Sequence, residues 1–155
     1  MGKPSSLTLS PKALDLVSAA LRHVRDAEHL LDAGANSSVD QAYHLAPFGP
    51  ECARKAALSI RWLDKPIGHG IGAFTDEILE LALAIDPIAR RYDPVGYAAR
   101  YPSMATWTVD CRYERTGKRD RSDVVALCGE ARKAIDAVVV ALWADGRFPD
   151  GATPW

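Results

Sequence analysis

Arg22 and His29 stand seven positions apart in a segment of helical periodicity, so both side chains fall on one face. That pairing suits chemistry at a phosphodiester. The guanidinium stabilises charge on a crowded phosphate, and the imidazole exchanges a proton near neutral pH. The other histidines are His23, His44 and His69, so none follows residue 69. Asp26-x-x-His29 and Gln41-x-x-His44 echo the spacing of helix-borne metal ligands. Glutamine is a poor ligand, however, and no accompanying glutamates are placed to complete a site, so neither a metal nor a cofactor is expected.

The second constellation is a basic run. Arg112, Arg115, Lys118, Arg119 and Arg121 stand against Glu114 and Asp120, a local balance of 5 − 2 = +3. Tyr113 within it is available to stack on a base, so the run suits a phosphate-rich partner. The ordinary alternative is a solvated loop. Glu51 and Lys55 form a third pair, at the i,i+4 spacing with glutamate first, the favourable order on a helix. A surface or half-buried ion pair is the plain expectation there, and a polar patch at a pocket or dimer interface the alternative. Gly68-His69-Gly70-Ile71-Gly72 is glycine-rich but lacks the lysine and the preceding strand that a phosphate cradle requires.

The elements that must carry these residues are helices. Ser10 and Pro11 make an N-cap and first position, and Leu14, Val17, Leu21, Val24 and Leu31 form one stripe ending near Gly34. Ser38 and Gln41 predict a capping box at the start of a second helix. Pro47 and Pro50 then predict a kink or break between Ala46 and Glu51, with Gly49 easing it. The helix is expected to resume from Glu51 to about Leu63, with Ala53, Ala56 and Ala57 allowing a neighbour to approach closely. Ile71, Phe74, Ile78, Leu81, Ile85, Ile88 and Tyr92 give a third stripe, which Asp86-Pro87 divides into two pieces in line. Asp93-Pro94 starts a short turn through Arg100. Trp107, Val109, Cys111 and Tyr113 alternate with polar residues, as in an extended connector with apolar anchors. A last helix spans Ser122 to Trp143, with Val124, Cys128, Ala131, Ile135, Val138 and Leu142 inward. Trp62, Trp107 and Trp143 are expected as core or interface anchors.

This order predicts an all-α fold, an antiparallel up-and-down four-helix bundle with a kinked second helix and a long irregular connection before the last. A single domain over 10–146 is expected, with irregular tails at 1–9 and 147–155. The chain's 155 residues, 48% hydrophobic and 25% charged, suit one globular unit and exclude disorder. A net charge of −1 excludes a uniformly basic nucleic-acid binder but permits a local patch. Three cysteines without a C-x-x-C pair argue against a disulfide framework and for a reducing, cytoplasmic setting. The N-terminus has no apolar leader segment, and the longest apolar stretch, Ala137 to Ala144, is far short of a membrane span.

Three segments together resemble the HEPN superfamily, the higher eukaryotes and prokaryotes nucleotide-binding domain. They are Val24-Arg25-Asp26-Ala27-Glu28-His29-Leu30-Leu31-Asp32-Ala33-Gly34, then Ala42-Tyr43-His44-Leu45-Ala46, then Glu51-Cys52-Ala53-Arg54-Lys55-Ala56-Ala57-Leu58. Trp107 to Tyr113 is similar to the tryptophan-to-Arg-Tyr segment that leads many such domains into their last helix. The resemblance covers most of 10–144 and lies in the order and spacing of motifs. It implies a helical domain that pairs into a homodimer. It also implies action on or near RNA or nucleotides, in a bacterial defence or toxin–antitoxin setting beside a nucleotidyltransferase-like partner. The family's ribonuclease motif, an arginine followed by a histidine late in the domain, has no counterpart after His69.

The expected function is therefore a HEPN-like binding or regulatory protein associated with RNA or nucleotides, without nuclease activity of its own. A metal-independent ribonuclease toxin using Arg22 and His29 is one alternative. An accessory helical protein whose partner is another protein is the other.

Overall fold

A computed structural model describes residues 8–58, 80–92 and 96–154. All regular structure among them is helical, with no strand. Four helices carry most of it: α1 (Pro11–Asp32), α2 (Val39–Leu45), α3 (Phe48–Ala57) and α4 (Arg121–Ala144). Among these residues, no helix is long and apolar enough to cross a membrane.

The start of α1 follows from its first residues. Ser10 Oγ accepts from the Ala13 N–H at 3.2 Å, and Pro11 occupies the first turn, where no backbone donor is missed. The buried face is Ala13, Val17, Ala20, Leu21, Val24, Ala27 and Leu31. Gly34 follows the helix in the left-handed region, φ 58°, as a C-terminal glycine should. Ser38 departs from expectation. It precedes α2 with extended backbone, but its side chain makes no capping bond, so the predicted box with Gln41 does not form.

The two prolines act at different places. The chain breaks after Leu45, through Ala46 and Pro47, and α3 begins at Phe48 rather than Glu51. Pro50 lies in the first turn of α3, where the missing N–H has no intrahelical partner to lose. Gly49 does more than ease the bend. A Cβ there would lie 2.7 Å from Ile135 Cδ1 and 2.9 Å from the Ala20 carbonyl oxygen, so glycine sets how closely α3 approaches α1 and α4. Ala53, Ala56 and Ala57 are fully buried and extend that contact. The helix ends at Ala57, short of the expected Leu63, because Leu58 turns extended. Trp62, His69 and the first half of the third stripe lie outside the described residues.

Within that stripe, Tyr92 is buried as expected, but the three described positions before it are not. Leu81, Ile85 and Ile88 are exposed, whereas Ala82, Leu83, Ala89 and Tyr92 are buried. Tyr92 and Arg91 are both anchored to Asp145, beyond α4. The Tyr92 hydroxyl donates to Asp145 Oδ2 at 3.0 Å, and the Arg91 guanidinium pairs with the same carboxylate at 2.6 Å. The division at Asp86-Pro87 is as expected, with a 3-10 turn at Ala89–Arg91, and the short helix Tyr97–Arg100 follows.

The expected extended connector is a 3-10 helix, Val109–Tyr113, preceded by extended Thr108. Trp107 is buried against Phe48, edge to face at 5.1 Å, and among the described residues there is no strand for an extended segment to pair with. Helix α4 starts one residue before Ser122 and buries all six predicted positions, together with Leu127, Ala134 and Val139. It closes at Gly146, φ 61°, with Gly146 N–H donating to Trp143 O and Arg147 N–H to Leu142 O. The described residues flanking the helices at either end are partly packed. Leu9 and Phe148 are buried, and Leu9 N–H donates to Arg147 O at 2.7 Å.

Candidate nucleic-acid interface

The connection into α4 is a built loop. Asp40, in the first turn of α2, accepts the Gly117 N–H on Oδ2 at 2.7 Å and the Arg119 N–H on Oδ1 at 3.2 Å. One carboxylate thereby satisfies two backbone donors of a loop far away in sequence. Gly117 at φ 83° permits the turn that aims them. Within the loop, Glu114 accepts from Lys118 Nζ at 2.6 Å and from the Arg119 guanidinium. Those two bonds, Lys118 first, hold the Glu114 carboxyl below its usual range. Arg119 also lies 3.9 Å above the Tyr43 ring centre.

The five candidate cations therefore divide. Lys118 and Arg119 both pair with Glu114, whose single negative charge offsets one of their two positive charges, and both serve the loop's own fold. Arg121 makes a loose 3.7 Å contact with Asp32, both side chains being largely exposed. Arg112 and Arg115 are exposed, and neither has an ion-pair partner among the described residues. Tyr113 stands between them, 75% exposed, with the Arg112 guanidinium 4.7 Å from its ring centre. The surface open to a ligand is thus Arg112, Tyr113 and Arg115: two cations and one π-face.

Arg22 and His29 are both exposed on α1. Seven residues of helix separate them by about 10 Å along the axis. Among the described residues no hydrogen bond or ion pair joins either one to the basic loop. Glu51 and Lys55 take the ion-pair form, at 2.9 Å, Glu51 buried and Lys55 partly so, with side chains 5% and 12% exposed. The pair lies within α3 itself, at the i,i+4 spacing. Arg54, beside them, is buried with its guanidinium 3.7 Å above the Tyr97 ring centre.

One contact has no sequence signal. His44 Nδ1 lies 3.4 Å from Cys111 Sγ, across 67 positions, and ties α2 to the 3-10 helix. Burial lowers the His44 pKa, and Arg112 adds to the effect. Burial, then Glu114, raises that of Cys111. Both shifts favour the neutral forms, so the pair is an imidazole beside a thiol rather than an ion pair with a nucleophilic thiolate. Phe48 sits among His23, His44 and Trp107, with ring centres 5.6, 5.2 and 5.1 Å away. Burial likewise pushes the Cys52 and Cys128 thiols up to about 11. Among the described residues, no three His, Cys, Asp or Glu side chains converge as a metal site.

The chain matches no protein-family model, no curated protein and no solved structure.

Proposed function

We propose that this chain is a HEPN-like helical protein that binds RNA or nucleotides through Arg112, Tyr113 and Arg115 and has no nuclease activity of its own. In this reading α1, α2–α3, the segment running up to Ile85, and α4 form an antiparallel up-and-down four-helix bundle. The protein self-associates as a homodimer and acts in the cytoplasm in a bacterial defence or toxin–antitoxin system, with a nucleotidyltransferase-like partner. The observation that carries the ligand class is the pinned loop. Asp40 fixes its backbone and Glu114 pairs with both Lys118 and Arg119. Two guanidinium groups without a carboxylate partner among the described residues then stand beside one exposed aromatic ring. Guanidinium groups bind phosphates without reading sequence, and a tyrosine face accepts any base.

Fluorescence anisotropy with a labelled single-stranded RNA tests this. Binding should appear at low salt and weaken steeply as salt rises. Arg112→Ala/Arg115→Ala should flatten the slope of log affinity against log salt by about 0.7 for each phosphate left without its arginine. No binding at low salt, or binding indifferent to these two arginines, refutes the assignment.

A further inference from the structure

One face of α4 is turned to solvent and carries a pattern that matches its own reverse. Ala126, Gly129, Lys133, Asp136, Val140 and Trp143 recur at spacings of 3, 4, 3, 4 and 3, the seam of a two-helix contact. All six are exposed. Val140 is 50% and Trp143 44% accessible, large values for apolar side chains on a helix whose other face builds the core. A Cβ added at Gly129 would meet nothing within 4 Å, so the groove beside it is open.

We infer that this face of α4 is the surface on which a second copy of the chain docks, helix against helix and antiparallel. Set against its reverse about the midpoint between Ala134 and Ile135, the seam pairs Lys133 with Asp136, Gly129 with Val140 and Ala126 with Trp143. Each pairing occurs twice by symmetry. Both charged pairs are opposite in sign, and both kinds of apolar pair set a large side chain against a small one. A parallel pairing in register would instead set Lys133 against Lys133 and Asp136 against Asp136. Complementarity of charge and of size therefore selects both the partner and the direction. Arg132, next to the seam, is already held by Glu28 through its Nε and Nη2, so Lys133 is the cation available to Asp136 of the second copy.

The seam runs about 26 Å at 1.5 Å per residue. A contact of that length falls at the low end of interface sizes, below about 1,200 Å² in total, the class of weak, transient associations. The inference rests on the self-association proposed above and adds its surface and direction.

Sedimentation velocity of the full chain, from low to hundreds of micromolar, should show a reversible monomer–dimer equilibrium. Lys133→Asp and Asp136→Lys should each weaken it by roughly tenfold or more, because like charges then face each other twice. Both positions are exposed, so the helical circular dichroism should be unchanged. An equimolar mixture of the two variants should dimerise again, since each then faces its opposite. A wild-type chain that stays monomeric throughout overturns self-association itself. A dimer indifferent to both substitutions, or variants that fail to rescue one another, overturns this surface and leaves self-association standing.

Discussion

The carboxylate of Asp40 holds the backbone of Gly117 from 77 positions away, at 2.7 Å, and its second oxygen takes the N–H of Arg119. An acidic residue in the first turn of a helix normally complements the helix's own free donors. Here it is turned to the loop that displays Arg112, Tyr113 and Arg115.

Asp40→Ala should release that loop. Hydrogen bonds to a charged acceptor contribute about 1.5–3 kcal/mol when enclosed. The Gly117 bond is exposed, so a loss of about 1 kcal/mol on urea denaturation is expected. RNA affinity should fall too, although none of the three proposed RNA-binding side chains is changed. Asp40→Asn keeps an acceptor for only one of the two N–H groups and should fall between. Unchanged stability and unchanged binding in Asp40→Ala would show that the loop holds its shape without this anchor.

Gly49→Ala should destabilise the protein even though alanine is the better helix former. The propensity gain is about 1 kcal/mol. Against it stands a Cβ at 2.7 Å from Ile135 Cδ1 and 2.9 Å from the Ala20 carbonyl oxygen. Overpacking of this kind costs about 1–3 kcal/mol, and the carbonyl belongs to α1, which cannot yield locally. Thermal melting should show a lower midpoint. Ile135→Val, which removes Cδ1, should recover part of the loss when combined with Gly49→Ala. A neutral or stabilised Gly49→Ala would mean that α3 moves outward freely.

Stability should fall as pH drops below the ordinary histidine value of 6.5. Burial lowers the pKa of both His23 and His44, with Arg22 adding to the shift at His23 and Arg112 at His44. The unfolded chain therefore binds these protons first. The stabilisation is complete above pH 6.5 and is lost as pH descends toward the depressed folded values. Denaturant midpoints measured across this window should decline, and His23→Gln/His44→Gln should flatten the decline. A midpoint that rises on acidification from pH 7 would reverse the sign and refute the assignment.

Purified protein should not degrade RNA, with or without EDTA. Cleavage through the 2′-hydroxyl needs proton transfer and phosphate stabilisation at one centre. Arg22 and His29 lie about 10 Å apart along α1, by helix geometry, and no hydrogen bond or ion pair gathers them among the described residues. Turnover that persists in EDTA and disappears in His29→Ala would instead establish the toxin reading.

Local periodicity and punctuation determined a good deal. The Ser10-Pro11 start, the Gly34 stop, the break near Pro47 and the inward stripe of α4 each depend on residues a few positions apart, and each is found as expected. The candidate surface was legible only as a composition, five cations against two anions. Which cations remain available depended on partners that spacing does not reveal: Glu114 folding back on Lys118 and Arg119, and Asp40 reaching from another helix. The exposure of Leu81, Ile85 and Ile88 is hidden from the sequence for the same reason. Apolar spacing favours that face inward, yet of its described residues Tyr92, held by Asp145 from beyond α4, is the one that is buried. Val109–Tyr113 takes its 3-10 form next to Trp107, which is buried against Phe48, and the His44–Cys111 contact spans 67 positions. Hydrophobic period is a property of neighbours along the chain, so sequence alone determined where α1 and α4 run and which faces they bury. Long-range hydrogen bonds and close approaches such as Gly49 against Ala20 and Ile135 exist only once the helices meet, so the tertiary structure decided what they display.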